Sequence, residues 1–316
     1  MIDRTPHPPE LADDDQRSVA LERQNLLNVG YRLLGSFTEA EDAVQEAYSR
    51  WYALDPEQRR SISAPGAWLT TVTTRVCLDM LKSARVRRER YVGEWIPEPL
   101  PLPSPQAGHV GPGVDPADRI TLDESVRMAM LVVLDAMTPR ERVAFVLHDV
   151  FRYPYADIAA MVGRSPEACR QLASSARKRI SEGTVADTPL GEQTALVEEF
   201  RRAWEAQDID GLVGLLDPAA TLATDSGGVV NAVRRPVSGG PELARFLVRL
   251  AHQGAELGVE VAPAIVNGQP GLTGRLGDRT IMVLSFDIVA GHVRRLWATV
   301  NPDKLVLWNG EASTVL

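Results

Sequence analysis

Apolar residues recur at helical spacing over residues 18–90, and the pattern predicts a first helical block preceded by a flexible start, residues 1–17. Val19 to Leu34 reads as one helix. Thr38-Glu39-Ala40-Glu41 reads as a capping box that opens a second. That helix puts Ala40, Ala43, Val44, Ala47, Tyr48 and Trp51 on one stripe, with Asp42, Gln45, Glu46 and Arg50 on the other face. A loop from Asp55 to Ala64 follows. Pro65 suits the first turn of a third helix, whose stripe is Leu69, Val72, Val76 and Met80. It runs into a basic end: Lys82, Arg85, Arg87, Arg88 and Arg90.

Residues 91–118 break the periodicity. Seven prolines between Pro97 and Pro116 exclude a helix or a central strand and predict a semi-extended linker. Tyr91, Trp95 and Ile96 are costly to leave in water, so the part from Tyr91 to Leu100 is expected to dock on something. Residues 119–183 are helical again. Leu122 to Met137 reads as one helix, and Thr138-Pro139 caps and opens a second. Tyr155, Ile158, Ala159 and Val162 then fall on one face, and Gly163 can take the left-handed conformation that ends a helix. Ser165-Pro166-Glu167 combines a cap, a first-turn proline and an acid at the positive end of the dipole. The helix it opens turns Cys169, Leu172, Ala173, Ala176 and Ile180 inward. Arg164, Arg170, Gln171, Ser174, Ser175, Arg177 and Lys178 face outward.

This is the pattern of a helix-turn-helix. Arg and Gln can read base edges in a major groove, while Ser, Lys and the helix N-terminus hold phosphates. Alone, it also fits an ordinary helical hairpin with a basic end. Residues 189–316 differ. Two helices, Glu192 to Ala206 and Asp210 to Leu216, and a third at Leu243 to Leu250 accompany four strands: Gly258 to Asn267, Leu272 to Leu276, Thr280 to Val289 and His292 to Val300. The fold class is therefore mainly α, two helical domains, plus a C-terminal α+β domain.

A formal net charge of −8 excludes a uniformly basic nucleic-acid binder, so any DNA contact must come from local Lys and Arg clusters. Cys77 and Cys169 have neither metal-ligand nor redox spacing and read as small core residues. No metal or cofactor motif appears. No secretory signal and no run of ~20 apolar residues is present, so the expectation is a cytoplasmic protein that does not engage a membrane.

The order of these blocks resembles that of the extracytoplasmic-function (ECF) sigma factors. AEDAVQEAYSRWY with APGAWLTTVTTRVCLDMLKSARVRRER is similar to domain σ2, and LDAMTPRERVAFVLHDVFRYPYADIAAMVGRSPEACRQLASSARKRI to σ4. The last block, 189–316, resembles a SnoaL-like cone. YVGEWIPEPL and NPDKL (Asn301 to Leu305) look like the linker and C-terminal motifs of the SigJ type. The resemblance implies that Asp42, Gln45, Glu46 and Trp51 dock on the β′ clamp of core RNA polymerase, with a further contact at the β flap. It also implies that the loop 55–64 with Arg75, Lys82, Arg85 and Arg88 engages the −10 element, and that the helix-turn-helix face engages the −35 element. Trp95, Pro97, Glu98, Pro99, Asp225, Gly227, Gly228 and Asn301, Pro302, Asp303, Lys304, Leu305 would be the regulatory contacts.

Two departures stand out. Ser175 occupies a place where the family more often has Arg. The stretch from Asp225 to Val230 lacks the basic residue usual in the subgroup's Gly-rich acidic motif. The SnoaL-like fold also includes enzymes. Trp204, Trp297, Phe286 and Arg275 could line a cone, with Asp225, Asp287 and His292 as acid–base groups, but no pair has diagnostic spacing. The expectation is therefore a non-enzymatic regulatory module that packs on σ2 and the linker, with room for an unidentified small ligand. The competing readings are a SnoaL-like enzyme or sensor fused to a DNA-binding regulator, and an activator that binds DNA without polymerase.

Overall fold

The structure, a computed structural model, describes residues 11–88, 91, 93–101, 126–183, 188–229 and 235–310, with backbone only for 11–21, 84–88 and 182–183. The linker beyond residue 101, the helix start expected at Leu122, Val230 and the side chains of Arg85 and Arg88 lie outside the described residues.

Helix α1 spans Leu11–Leu34 and therefore begins inside the segment expected to be flexible. Helix α2 is Phe37–Ala53, and its cap is Ser36 rather than Thr38: the Ser36 hydroxyl accepts from the Glu39 amide at 3.2 Å. Asp55 then caps a short helix α3, Pro56–Ser61, in a capping box with Gln58, so the expected 55–64 loop is partly helical. Helix α4 is Pro65–Arg88. These helices bury Leu26, Tyr31, Leu34, Ala43, Trp51, Leu69 and Cys77 between them.

The second block contains α5 (Met128–Asp135), α6 (Pro139–Phe145), a π-helical turn (Val146–Val150), α7 (Tyr155–Val162) and α8 (Pro166–Gly183). Thr138 and Glu141 form the reciprocal cap at the start of α6. Gly163 takes φ 66° and turns α7 into the approach to α8, as its position in the sequence predicts. The two helical blocks share one apolar core. Arg142, 3% exposed, crosses between them, donating to the Leu33 carbonyl at 2.7 Å and to Asp135 at 2.8 Å.

The third unit carries α9 (Leu190–Glu205), α10 (Ile209–Leu215) and α11 (Gly240–Leu257) against a six-stranded sheet of order β2-β1-β6-β5-β4-β3. The strands are β1 (Leu216–Asp225), β2 (Val237–Ser238), β3 (Val259–Val266), β4 (Gln269–Leu276), β5 (Arg279–Val289) and β6 (His292–Thr299). Among the described residues only the β1–β6 pair is parallel. The β3–β4 hairpin turns on Asn267-Gly268, with φ of 52° and 75°, the two left-handed residues of a tight type I′ turn. Phe200, Trp204, Leu247, Leu284, Phe286 and Leu296 form the core, with Phe200 edge-on to Phe286 at 5.2 Å.

Candidate functional site: a helix-turn-helix and a linker clamp

The outward face of α8 is built as the sequence predicts. Cys169, Ala173 and Ala176 are buried, while Arg164, Arg170, Gln171, Ser174, Ser175, Arg177 and Lys178 are exposed. Several are already engaged within the chain. Arg177 contacts both Asp149 oxygens at 3.0 Å, and Arg170 pairs with Glu167 at 2.8 Å. The Ser175 hydroxyl donates to Glu141 at 2.7 Å. On the first block, Asp42, Gln45 and Glu46 are exposed along one face of α2, with Glu46 paired to Arg50 at 2.8 Å.

Two positions are corrected. Trp51 is 2% exposed and packs on Trp68 with ring centroids 5.3 Å apart, so it supports α2 from beneath and cannot be a docking contact in this conformation. Arg75 is exposed, but its guanidinium is already engaged within the chain. Its guanidinium donates to the carbonyls of Ala160 at 3.0 Å and Met161 at 3.4 Å, at the C-terminal end of α7. That end of a helix carries orphan carbonyls and partial negative charge, which an Arg satisfies. Lys82 remains exposed and pairs with Asp79.

The second constellation is a clamp around the linker. Pro97 and Pro99 have no N–H, so only Ile96, Glu98 and Leu100 of this stretch have donors to satisfy, and each finds a partner. The Ile96 amide donates to Asp225 Oδ2 at 2.9 Å, and its carbonyl accepts from Lys304 Nζ. The Glu98 amide donates to Gly35 at 2.8 Å, and its carbonyl accepts from the Tyr31 hydroxyl at 2.8 Å. The Leu100 amide donates to Asn267 Oδ1 at 3.0 Å, and its carbonyl accepts from the Asn267 amide at 2.9 Å. Trp308 Nε1 closes the run on the Pro99 carbonyl at 2.8 Å.

Asp225, fully buried at the end of β1, is the centre of this clamp. It accepts from the Tyr91 hydroxyl at 2.5 Å, the Gly227 amide at 3.1 Å and Lys304 Nζ at 2.7 Å. Lys304 also sits 4.1 Å from the Trp95 ring centroid, a cation–π contact. Asn301 donates to the Tyr91 hydroxyl at 3.0 Å, and its own carbonyl oxygen accepts from the Asp303 amide. Gly227, at φ 63°, has no room for a side chain, because a Cβ there would fall 2.7 Å from the Asn301 side chain.

The Sigma-70 region 2 model matches residues 19–87, and the Sigma-70 region 4 model matches residues 127–180. The ECF RNA polymerase sigma factor SigJ of Mycobacterium tuberculosis is 38% identical over 292 residues, covering 89% of this chain and 90% of that protein. The chain belongs to the ECF sigma factors. A probable ECF sigma factor SigI of the same organism is 36% identical, over 90% of this chain and 92% of that one. The crystal structure of M. tuberculosis SigJ superposes with a TM-score of 0.72, at 36% identity, over 92% of this chain and 98% of that one.

As an ECF sigma factor, the protein is an alternative initiation factor with helical σ2 and σ4 domains and a SnoaL-like tail. The structure brings together Trp95, Pro97, Glu98, Pro99, Asp225, Gly227, Asn301, Asp303 and Lys304 in the clamp. Gly228 and Pro302 flank it, and Leu305 is buried beneath it. Sequence reasoning missed Tyr31, Asn267 and Trp308 as clamp residues. The Asn-Gly pair was a readable hairpin signal; the contact of Asn267 with Tyr31, 236 positions away, was not.

The proposed acid–base trio of the tail does not assemble. Asp225 is spent on the clamp, Asp287 pairs with Arg294 at 2.8 Å, and His292 is exposed on the β5–β6 hairpin. Of the four residues expected to line a cone, Trp204 alone lines the cavity between α11 and the sheet, and Trp297 packs instead on Ile96 and Met128.

Glu98 also caps α2: its carboxylate accepts from the Phe37 amide at 2.9 Å and the Ser36 hydroxyl at 3.0 Å. Burial pushes its pKa above the ordinary carboxylate value despite these hydrogen bonds. The folded state therefore holds the proton more tightly than the unfolded chain. Stability from this group is fully present below the ordinary value and is lost as pH rises through the raised one. Glu98→Gln is expected to flatten that part of the curve of thermal midpoint against pH, whereas Glu98→Ala removes the cap and lowers stability throughout.

Proposed function

We propose that the SnoaL-like domain sets the transcriptional output of this sigma factor in cis by holding the σ2–σ4 linker. The observation that carries this reading is the clamp, which engages both backbone groups of Ile96 and of Leu100. In the free chain Arg75 is occupied by α7, so the −10-reading helix and the helix-turn-helix lie against each other. Promoter elements about two helical turns apart require ~70 Å between the two readers. A linker of residues 91–118 reaches roughly 90 Å when extended; with its first ten residues clamped, the remainder reaches only about 60 Å. Release of the clamp thus favours the open, promoter-competent arrangement.

In this reading Asp42, Gln45 and Glu46 meet the β′ clamp of core polymerase, and σ4 meets the β flap. The 55–64 segment, with Lys82, Arg85 and Arg88, engages the −10 element, and Arg75 joins them once α7 withdraws. The exposed α8 face engages the −35 element in the cytoplasm. The tail is a regulatory module and not a catalyst. Ending the chain after Val300 removes Asn301 and Lys304 and is expected to raise start-site-specific transcripts from core polymerase several-fold. Unchanged or lower output from a folded truncated chain would count against regulation in cis.

A further inference from the structure

The tail domain is incompletely closed. Between α11, the sheet and the last turns of the chain lies a cavity of about 1230 Å³, larger than the ~300–1,000 Å³ usual for small-molecule sites. Trp204, Phe246, Leu250, Val261, Met282 and Leu284 face it. Phe246, Leu250, Val261 and Met282 remain partly exposed although they sit where a closed sheet-and-helix core would bury them. At its mouth Leu257 and Leu276 are 70% and 47% exposed, two of the few large apolar side chains left in water among the described residues.

Several of the polar groups on the lining are already engaged within the chain. The Trp204 indole N–H donates to the Leu247 carbonyl at 2.7 Å, and the Asn309 amide is engaged with Thr280 and Leu305. The charged groups on the lining, Glu205, Glu260 and Arg279, are all exposed at the rim. An ionised guest would therefore lose its hydration deep in the cavity without a buried partner. An apolar guest would cover surface that is otherwise wet.

One wall of this cavity is the C-terminal segment itself: Val300, Pro302, Leu305 and Asn309. Lys304, between two of these, grips Ile96 and Asp225, and Trp308, beside a third, grips Pro99. We infer that this cavity binds a neutral, predominantly apolar small molecule, and that its occupancy braces the 300–309 segment and so tightens the clamp on the linker. The inference rests on regulation in cis by the tail and supplies the signal that such regulation would read.

Nile red, neutral and apolar, serves as the probe on the full chain. Saturable binding with blue-shifted emission is expected, weakened at least about tenfold by Ala251→Trp, which fills the cavity from α11. Val261→Phe, from the opposite wall, is the second filling variant should the first fail to fold. With the probe at saturation, exchange of the Ile96 amide hydrogen is expected to slow at least about threefold. Absence of saturable binding, or equal binding by a folded cavity-filled variant, overturns the site. Binding with unchanged exchange at Ile96 overturns the coupling. Both readouts need no polymerase, so they are separate from the transcription assays that test regulation in cis.

Discussion

Replacing Lys304 with Met is expected to destabilise the folded chain by about 3–5 kcal/mol, the cost of leaving a buried charge without its partner. Asp225 is fully buried, and Lys304 Nζ is the only cationic group among its hydrogen-bond donors in the described structure. Met keeps most of the side chain's volume, so the loss reports the ammonium, with its ion pair to Asp225 and its cation–π approach to Trp95 and Tyr91, rather than a cavity. Adding Asp225→Asn should recover most of the loss, because replacing both members of a buried pair is often near neutral. Denaturant unfolding of the two single variants and the double variant gives the coupling directly. The single Lys304→Met variant should also release the Ile96 amide to hydrogen exchange, since Asp225 accepts from it and Lys304 holds the carbonyl of the same residue.

Reversing charge at both Arg170 and Arg177, to Glu, is expected to lower promoter-specific transcription at least about 30-fold while leaving the fold intact. A side chain reading a base edge is worth about 1–3 kcal/mol, and each lost phosphate contact reduces the salt dependence of binding by about one unit of slope. The partners these residues hold in the free chain do not protect against this loss. Arg170 with Glu167 and Arg177 with Asp149 are exposed at 59% and 43% on the Arg side. Pairs of that kind contribute about 0–1 kcal/mol and yield readily to DNA phosphates. Runoff transcription at two salt concentrations, with circular dichroism as the control for folding, reads both effects.

The helical blocks and the helix-turn-helix were legible because their signals are local. A stripe at helical spacing, the Thr138-Pro139 and Ser165-Pro166-Glu167 starts and the left-handed Gly163 each constrain a few neighbouring residues. The stripe also placed Trp51 correctly on the inner face of α2; the error lay in giving the same residue an outer role. Strand β1 was missed because Asp217-Pro218-Ala219-Ala220 and the small residues that follow show little alternation, although β6 pairs with Leu216 and with Thr221 to Asp225 on either side of the irregular stretch. The clamp was legible as a set of motifs through resemblance, but its wiring was not. Tyr91 with Asp225, Tyr31 with Glu98 and Asn267 with Leu100 join residues 134, 67 and 167 positions apart. No spacing rule reaches across such distances. The occupied Arg75 was hidden for the same reason: its partners are carbonyls on another domain.

Single-round transcription from one cognate promoter, with core polymerase and matched amounts of wild type, Lys304→Met and the Lys304→Met/Asp225→Asn pair, addresses the linker clamp most directly. The expected order is a several-fold rise for the single variant and a return towards wild type for the pair, following the freedom of the Ile96 amide. Equal output from all three, with that amide demonstrably released in the single variant, would show that the tail's grip on the linker does not govern initiation.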